Sequence, residues 1–314
     1  MTVLGSAPIV RRFPSMGTVV EVAAPPAVME RALLLIRTTF AQWDAELSRL
    51  RPDSELERLN RRRTARVSPL LWEVVRRALL WADVTDGQFD PCLGAQLRRW
   101  GFGGAVSAQD PGPDAPVDPM PLPEGVPGGA WRGVTLDAVP RTISLPPGAE
   151  LDLGGIAKGM AVDAALHQLE EQRLTPVLVN AGGDLGVRGA PADPGYWSIG
   201  VGEAASAPPI RLRRGAAATS GIPRARWMAG ERRLHRILDP RTGYPAETGL
   251  RQVTVVTGTV EQAEVLAKAA FLHGLLVGRR LIEREGAAAR FEASDGSIAW
   301  AGPWPREDAS AWKP

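Results

Sequence analysis

The sequence is poor in cysteine, in lysine and in long apolar runs. Cys92 is its single cysteine, so no disulfide can close within the chain and no metal site built on cysteines exists. The thiol reads as a packed side chain. No stretch approaches the roughly 18 uninterrupted apolar residues of a membrane helix. The opening segment MTVLGSAPIVRRF lacks the basic region, apolar run and small-residue cleavage site of a secretory signal, so the expected location is cytoplasmic. The net charge of +2 comes without any run of about five or six like charges. No basic face with interleaved aromatic platforms marks a nucleic-acid site. Lysine occurs only as Lys158, Lys268 and Lys313, against a background of arginine. Where arginine is the default cation, a lysine is informative.

What is present suits one compact unit over residues 1–314, and a hydrophobic fraction of 44% can bury a sizeable core. Helical spacing of Val28, Leu33, Leu35, Ile36 and Phe40 predicts a helix over 26–50. Ser54 with Glu57 forms a capping box for a short second helix, with Asp53 as the other cap candidate. Pro69 suits the first turn of a helix over 68–85. Residues 85–94 form a turn-rich loop, and 101–130 a Pro/Gly-rich surface insertion. Gly154 and Gly155 open a helix over 156–172, and Thr259 with Gln262 caps a long helix over 260–285. Between these lie short strands at 133–145, 177–189, 197–202, 210–228 and 251–258, with a strand pair near 288–300. Hairpin-length connections favour an α+β fold over a doubly wound sheet.

Three segments could carry chemistry. In LDLGGIAKG (151–159), Gly154 and Gly155 before a helix would expose amide N–H groups at the positive end of the helix dipole. A phosphate would bind there, with Lys158 as a point charge and Asp152 accepting from a nucleotide; the same residues also suit a bare strand-to-helix turn. NAGGDL (180–185) holds a second glycine turn at Gly182 and Gly183, which by itself reads as a hairpin turn before it reads as a site. HRILDPRTGYP (235–245) is a polar loop rich in side chains that bind anions, with His235, Arg236 and Asp239 as candidate catalytic residues; by itself it also reads as a surface loop.

Taken in order, these segments resemble the ApbE-like family, whose members are FAD:protein FMN transferases. The ordered set runs Met16-Gly17-Thr18, Asp53-Ser54-Glu55 with Leu59-Asn60, TDGQFDP (85–91), LDLGGIAKG with AVD (161–163), NAGGDL, ATSG (218–221), LDPRTGYP (238–245) and TVV (254–256). The resemblance covers roughly residues 13–275. It implies an α+β, T-fold-related architecture of mainly antiparallel sheets flanked by helices. It implies FAD as the flavin donor, Mg²⁺ on the pyrophosphate, and a partner protein whose Thr or Ser hydroxyl accepts FMN while AMP leaves. By the same resemblance, Met16, Asp90 and Asp152 line the nucleotide pocket. Gly154, Gly155 and Lys158 hold phosphate, and Gly182, Gly183 and Lys268 complete the cofactor-binding set.

Four positions depart from the family. Its metal-binding aspartate and hydroxyl residue align with Glu264 and Lys268; Gly155 is the further metal-side position. Glu264 and Lys268 sit at i and i+4, which predicts either an intrahelical ion pair or a lysine in the metal's place. The family's proton-handling histidine aligns with Arg236, which stays protonated, leaving adjacent His235 as the substitute. Leu50 stands where an aromatic often occurs. His167 and His273 lie on helices and read as structural. The departures leave a second reading open, a flavin-binding protein of the same fold impaired in transfer.

Overall fold

A computed structural model describes residues 7–100, 124–202, 208–222, 226–229 and 232–305, and side chains in 226–234 are not described. Most of the predicted insertion, 101–123, lies outside the described residues. The chain opens with a hairpin, β1 (Ile9–Ser15) and β2 (Thr18–Ala24), followed by helices α1 (Pro26–Leu47) and α2 (Glu55–Arg62) and strand β3 (Thr64–Arg66). Next come α3 (Pro69–Val84), α4 (Gly94–Arg99), β4 (Thr135–Ala138), β5 (Arg141–Ser144) and α5 (Ala157–Glu171). Then follow β6 (Val177–Ala181), β7 (Asp184–Arg188), β8 (Trp197–Ile199), β9 (Ile210–Leu212), β10 (Arg214–Gly221), β11 (Arg226–Ala229) and β12 (Arg232–His235). The chain ends with β13 (Leu250–Thr257), α6 (Val260–Arg284), β14 (Ala288–Ala293) and β15 (Ile298–Ala301).

Eight strands form one antiparallel sheet in the order β1-β2-β6-β7-β10-β13-β14-β15. Successive residues of a strand point to opposite faces, and the sheet divides its apolar residues accordingly. Val20, Val22, Val179, Ala216, Ala218, Val253 and Val255 face the main core. Ala23, Val187, Ala217 and Val256 face a smaller core on the other side, covered by the β8–β9 ribbon through Trp197, Ile199 and Ile210. Helices α1, α5 and α6 pack on the main face. Their fully buried Met29, Ile36, Phe40, Leu166 and Phe271 lie in that core. Each such side chain contributes roughly 1.5–3 kcal/mol on leaving water.

Local signals start the helices where the sequence predicts. The hydroxyls of Ser54, Ser68 and Thr259 accept from the amides of Glu57, Leu71 and Gln262, each satisfying an otherwise unpaired helix donor. α1 is shorter than expected, ending at Leu47, and α4 was not foreseen. The last helix is bent rather than continuous. Gly274 adopts φ 72° within α6, a conformation that suits a residue without Cβ.

Two fixtures set the frame of the site. Asn60 clamps Leu151 in both directions, its Nδ2 donating to the carbonyl (3.0 Å) and its Oδ1 accepting from the amide (2.8 Å). Asp163 of α5 accepts from the amides of Val260 and Glu261 at 3.0 and 2.9 Å, tying the two helices at the start of α6. Gly159 lets them meet: a Cβ there would lie 2.7 Å from the Val260 carbonyl oxygen.

Candidate active site

A cleft with a cavity of ≈ 50 Å³ brings Asp90, Asp152, Gly155, Arg236 and Lys268 together from four separate segments, with Leu93, Leu238 and Leu272 in its wall. A more open groove between α1 and α5 is lined by Leu34, Thr38 and Gln168, with Arg31 as its sole ionisable side chain. The first cleft alone combines acids, cations and a glycine turn, the mixture a ligand site needs.

The two aspartates are held by the chain itself. Asp90 accepts from the amides of Cys92 (2.7 Å) and Gly129 (2.6 Å), and its burial raises its pKa in spite of both bonds. Gly128 donates to the Pro240 carbonyl at 2.6 Å, so the end of the 101–130 stretch docks beside Asp90 rather than standing off the surface. Asp152 accepts from the Gly154 amide at 2.9 Å and forms an ion pair with Arg49. The Gly154 amide is therefore already engaged, and the expected row of free donors is only partly available. The helix begins at Ala157, a residue later than predicted.

Lys158 does not face the cleft's ligand space as expected. Its ammonium donates to the Gly154 carbonyl at 3.2 Å, to Asp184 at 2.8 Å and to Glu264. Three donors meet three acceptors, which exhausts a lysine. Burial works against its charge, yet Asp184 and Glu264 outweigh it and hold Lys158 above the ordinary lysine range. The other oxygen of Glu264 accepts from the Gly159 amide at 2.8 Å. Burial nevertheless pushes the Glu264 carboxyl up to about 7, against the pull of Lys158.

The ion pair expected within α6 is thus replaced by one between helices. Glu264 turns to Lys158, and Lys268 is left without a hydrogen-bond or ion-pair partner among the described residues. Its ammonium lies 5.9 Å from the centre of the Phe89 ring and rests against Gly155, where a Cβ would collide with it. Burial depresses its pKa, with Glu264 opposing and Lys158 and Arg236 adding to the fall.

A hard divalent ion such as Mg²⁺ takes near-octahedral oxygen ligands, and these residues do not fit it. Both Glu264 oxygens are engaged, Asp184 is tied to Lys158, and an ammonium lies at Gly155. No group of three or more His, Cys, Asp or Glu residues suited to a metal occurs among the described residues.

Other candidates sit elsewhere. His235 is buried, its Nε2 donating to the Ala246 carbonyl at 2.9 Å while Nδ1 accepts from the Ile237 amide at 3.3 Å. Both ring nitrogens face backbone, so the geometry gives His235 no route to a proton in the cleft; neighbouring Arg236 is exposed there instead. Asp239 shapes its loop, accepting from the Arg241 amide (2.9 Å) and guanidinium (2.8 Å). Met16 and Gly17 make the β1–β2 turn with φ 49° and 69°, and the Gly182–Gly183 turn of β6–β7 packs on Thr18. Neither turn lines the cleft. Leu50 is 37% exposed beside Gly17. His167 is a surface partner of Glu171, His273 is half-buried on α6, and Cys92 is buried with its thiol pKa driven up, as a packed thiol requires. Arg49, Phe89 and Asp184 belong to the site but were not singled out from the sequence. Asp184 had a signal, its place directly after the glycine pair.

An antiparallel sheet backed by helices, with cations and acids gathered in one cleft, defines an α+β protein built to bind an anionic ligand. The particular family follows from comparison. Residues 16–291 match the ApbE family, and the chain belongs to it. An FAD:protein FMN transferase of Treponema pallidum is 32% identical over 272 residues, covering 80% of this chain and 73% of its own. One from Haemophilus influenzae is 28% identical over 265 residues, covering 79% and 74%. The solved ApbE protein of Thermotoga maritima superposes with a TM-score of 0.82 at 26% identity, covering 94% of this chain and 97% of that one. No helix among the described residues is long and apolar enough to cross a membrane.

Proposed function

We propose that this protein is an FAD:protein FMN transferase, moving FMN from FAD to a Thr or Ser hydroxyl of a partner protein with release of AMP. One observation carries the reading: in a chain of this family, motifs far apart in sequence bring Asp90, Asp152, Gly155, Arg236 and Lys268 to one cleft. The acceptor oxygen bonds to the FMN-side phosphorus as the bridging P–O bond breaks. AMP departs with that oxygen, and the hydroxyl proton passes to water. Such transfer rests mainly on positioning and on neutralising charge around the phosphorus. Arg236 and Lys268 supply positive charge, Asp152 with Arg49 orients the nucleotide side, and the leucine wall excludes water. A positioned base typically adds 10²- to 10⁴-fold. With Arg236 in the cleft and His235 turned to the core, the turnover expected is slow.

Incubation with FAD and an acceptor domain bearing a Thr target tests this, read by AMP release and by covalent flavin fluorescence on a denaturing gel. Both signals should rise together. FAD binding without AMP or labelled acceptor, with or without Mg²⁺, would overturn the transferase reading in favour of a non-transferring flavin binder.

A further inference from the structure

The misfit between this donor set and a divalent ion has a consequence for how the cleft neutralises its ligand. Among the groups where a metal would lie, two carboxylates are present, Asp184 and Glu264. Lys158 engages both. Neither offers a free pair of oxygens, and one Glu264 oxygen is held by the Gly159 amide. A cation entering there would have to break Lys158 from two buried partners.

Lys268 has the opposite surroundings. It stands one helical turn beyond Glu264, over the Phe89 ring and against Gly155, on the cleft wall. No carboxylate or carbonyl of the described residues takes its protons. Arg236 lines the same cleft, is exposed, and likewise has no hydrogen-bond or ion-pair partner among the described residues. The two are near enough for Arg236 to act electrostatically on Lys268. Leaving the partly buried Lys268 charge unpaired beside a second cation costs the fold stability. An anion from outside the chain removes that cost. Gly155 is what the arrangement needs beside Lys268, because any larger residue would push the ammonium away.

We propose that Lys268 is a fixed cation in the place of a divalent metal, and that this cleft holds a pyrophosphate through Lys268 and Arg236 without Mg²⁺. The inference rests on the flavin reading above and specifies how that ligand is bound. A lysine binds phosphate as a point charge and arginine can grip two oxygens. Together they offer charge comparable to one divalent ion, without its demand for octahedral oxygens.

The test is FAD binding to the full chain by flavin fluorescence, in EDTA and in MgCl₂, with riboflavin as the phosphate-free control. FAD affinity should be the same within about twofold in both media, and should fall with added salt while riboflavin affinity holds. Lys268→Met should weaken FAD binding roughly 10- to 100-fold, as expected for a lost charge-assisted contact, and leave riboflavin unchanged. Lys268→Arg should keep FAD within several-fold, taken as order of magnitude. Thermal melts establish that each variant is folded. An EDTA-induced loss of FAD affinity of tenfold or more would overturn the proposal while leaving the flavin reading intact. So would stoichiometric Mn²⁺ binding by the apoprotein, seen by electron paramagnetic resonance and abolished by Glu264→Gln. Failure to bind either FAD or riboflavin would overturn both.

Discussion

Two lysines on neighbouring helices, in a chain that otherwise uses arginine, have opposite fates. Lys158, in the first turn of α5, spends its protons on Gly154, Asp184 and Glu264. Lys268, on α6, meets an aromatic face, a glycine and open cleft. The first ammonium is a bolt between helix and sheet, and its charge is spent within the fold. The second gains nothing from the fold comparable to what burial costs it, which leaves its ammonium available to a ligand in the cleft. Motif position alone does not separate the two roles. The partners do, and these are set by how closely α5 and α6 approach.

The largest effect that could break the comparison is on stability. Lys158→Met would leave Asp184 and Glu264 in a buried place without the cation that bonds both, and with only the electrostatic pull of Lys268 on Glu264. Losing one member of such a network costs about 3–5 kcal/mol. Lys268→Met removes a cation without a partner and should change stability by less than about 1 kcal/mol, in either direction. Urea unfolding of the two variants checks this. Equal losses would mean that Lys268 is as structural as Lys158.

A smaller effect sharpens the picture of the junction that sets the helix spacing. Asp163 caps α6 from α5, and burial lifts its carboxyl from 3.8 to about 6, against the two amide bonds it accepts. Between those values the folded state binds more protons than the unfolded one. Its contribution is therefore full at low pH and is lost as pH rises through about 6. Two pK units amount to at most about 3 kcal/mol. Glu264, lifted to about 7, acts with the same sign, whereas His273, depressed by burial, acts with the opposite one. Comparing Asp163→Asn with the parent isolates the group. The parent should lose more stability than the variant between pH 5 and pH 7.5, measured by urea midpoints. Parallel losses would show that Asp163 does not titrate in that window.

Much of this was legible because it is local. Alternation in β13 separates Val253 and Val255 from Val256, and the caps at Ser54 and Thr259 are read from single residues and their third neighbours. The motif order marked Asp90, Asp152, Gly155, Arg236 and Lys268, which do share the cleft. The failures are tertiary. An i to i+4 rule sees only one helix, so it pairs Glu264 with Lys268 and is blind to Lys158 arriving across Gly159. His235 is the last residue of β12 and is buried, whereas Arg236 lies in the bend after the strand and is exposed. One step along the chain therefore separates a core histidine from a cleft arginine. The bend at Gly274 was hidden because a lone glycine fits inside a helical pattern.

The smallest predicted effect on stability belongs to Gly155→Ala, and it separates room for the fold from room for the ligand. Gly155 does not have a left-handed backbone, so alanine introduces no backbone strain there. Its methyl would collide with the Lys268 ammonium and come within 3.1 Å of the Phe89 ring. The ammonium is the free end of a flexible stem and can swing aside, so the folded state should lose less than about 1 kcal/mol. The ligand side is different, because the cation then no longer lies over the turn where phosphate is expected. FAD binding should weaken by roughly tenfold, about 1.4 kcal/mol, with riboflavin binding retained. Adding Lys268→Met to Gly155→Ala should then cost little further affinity, since both changes remove the same contact. Independent, additive losses would mean that Gly155 acts on the ligand through its own backbone rather than through the position of Lys268.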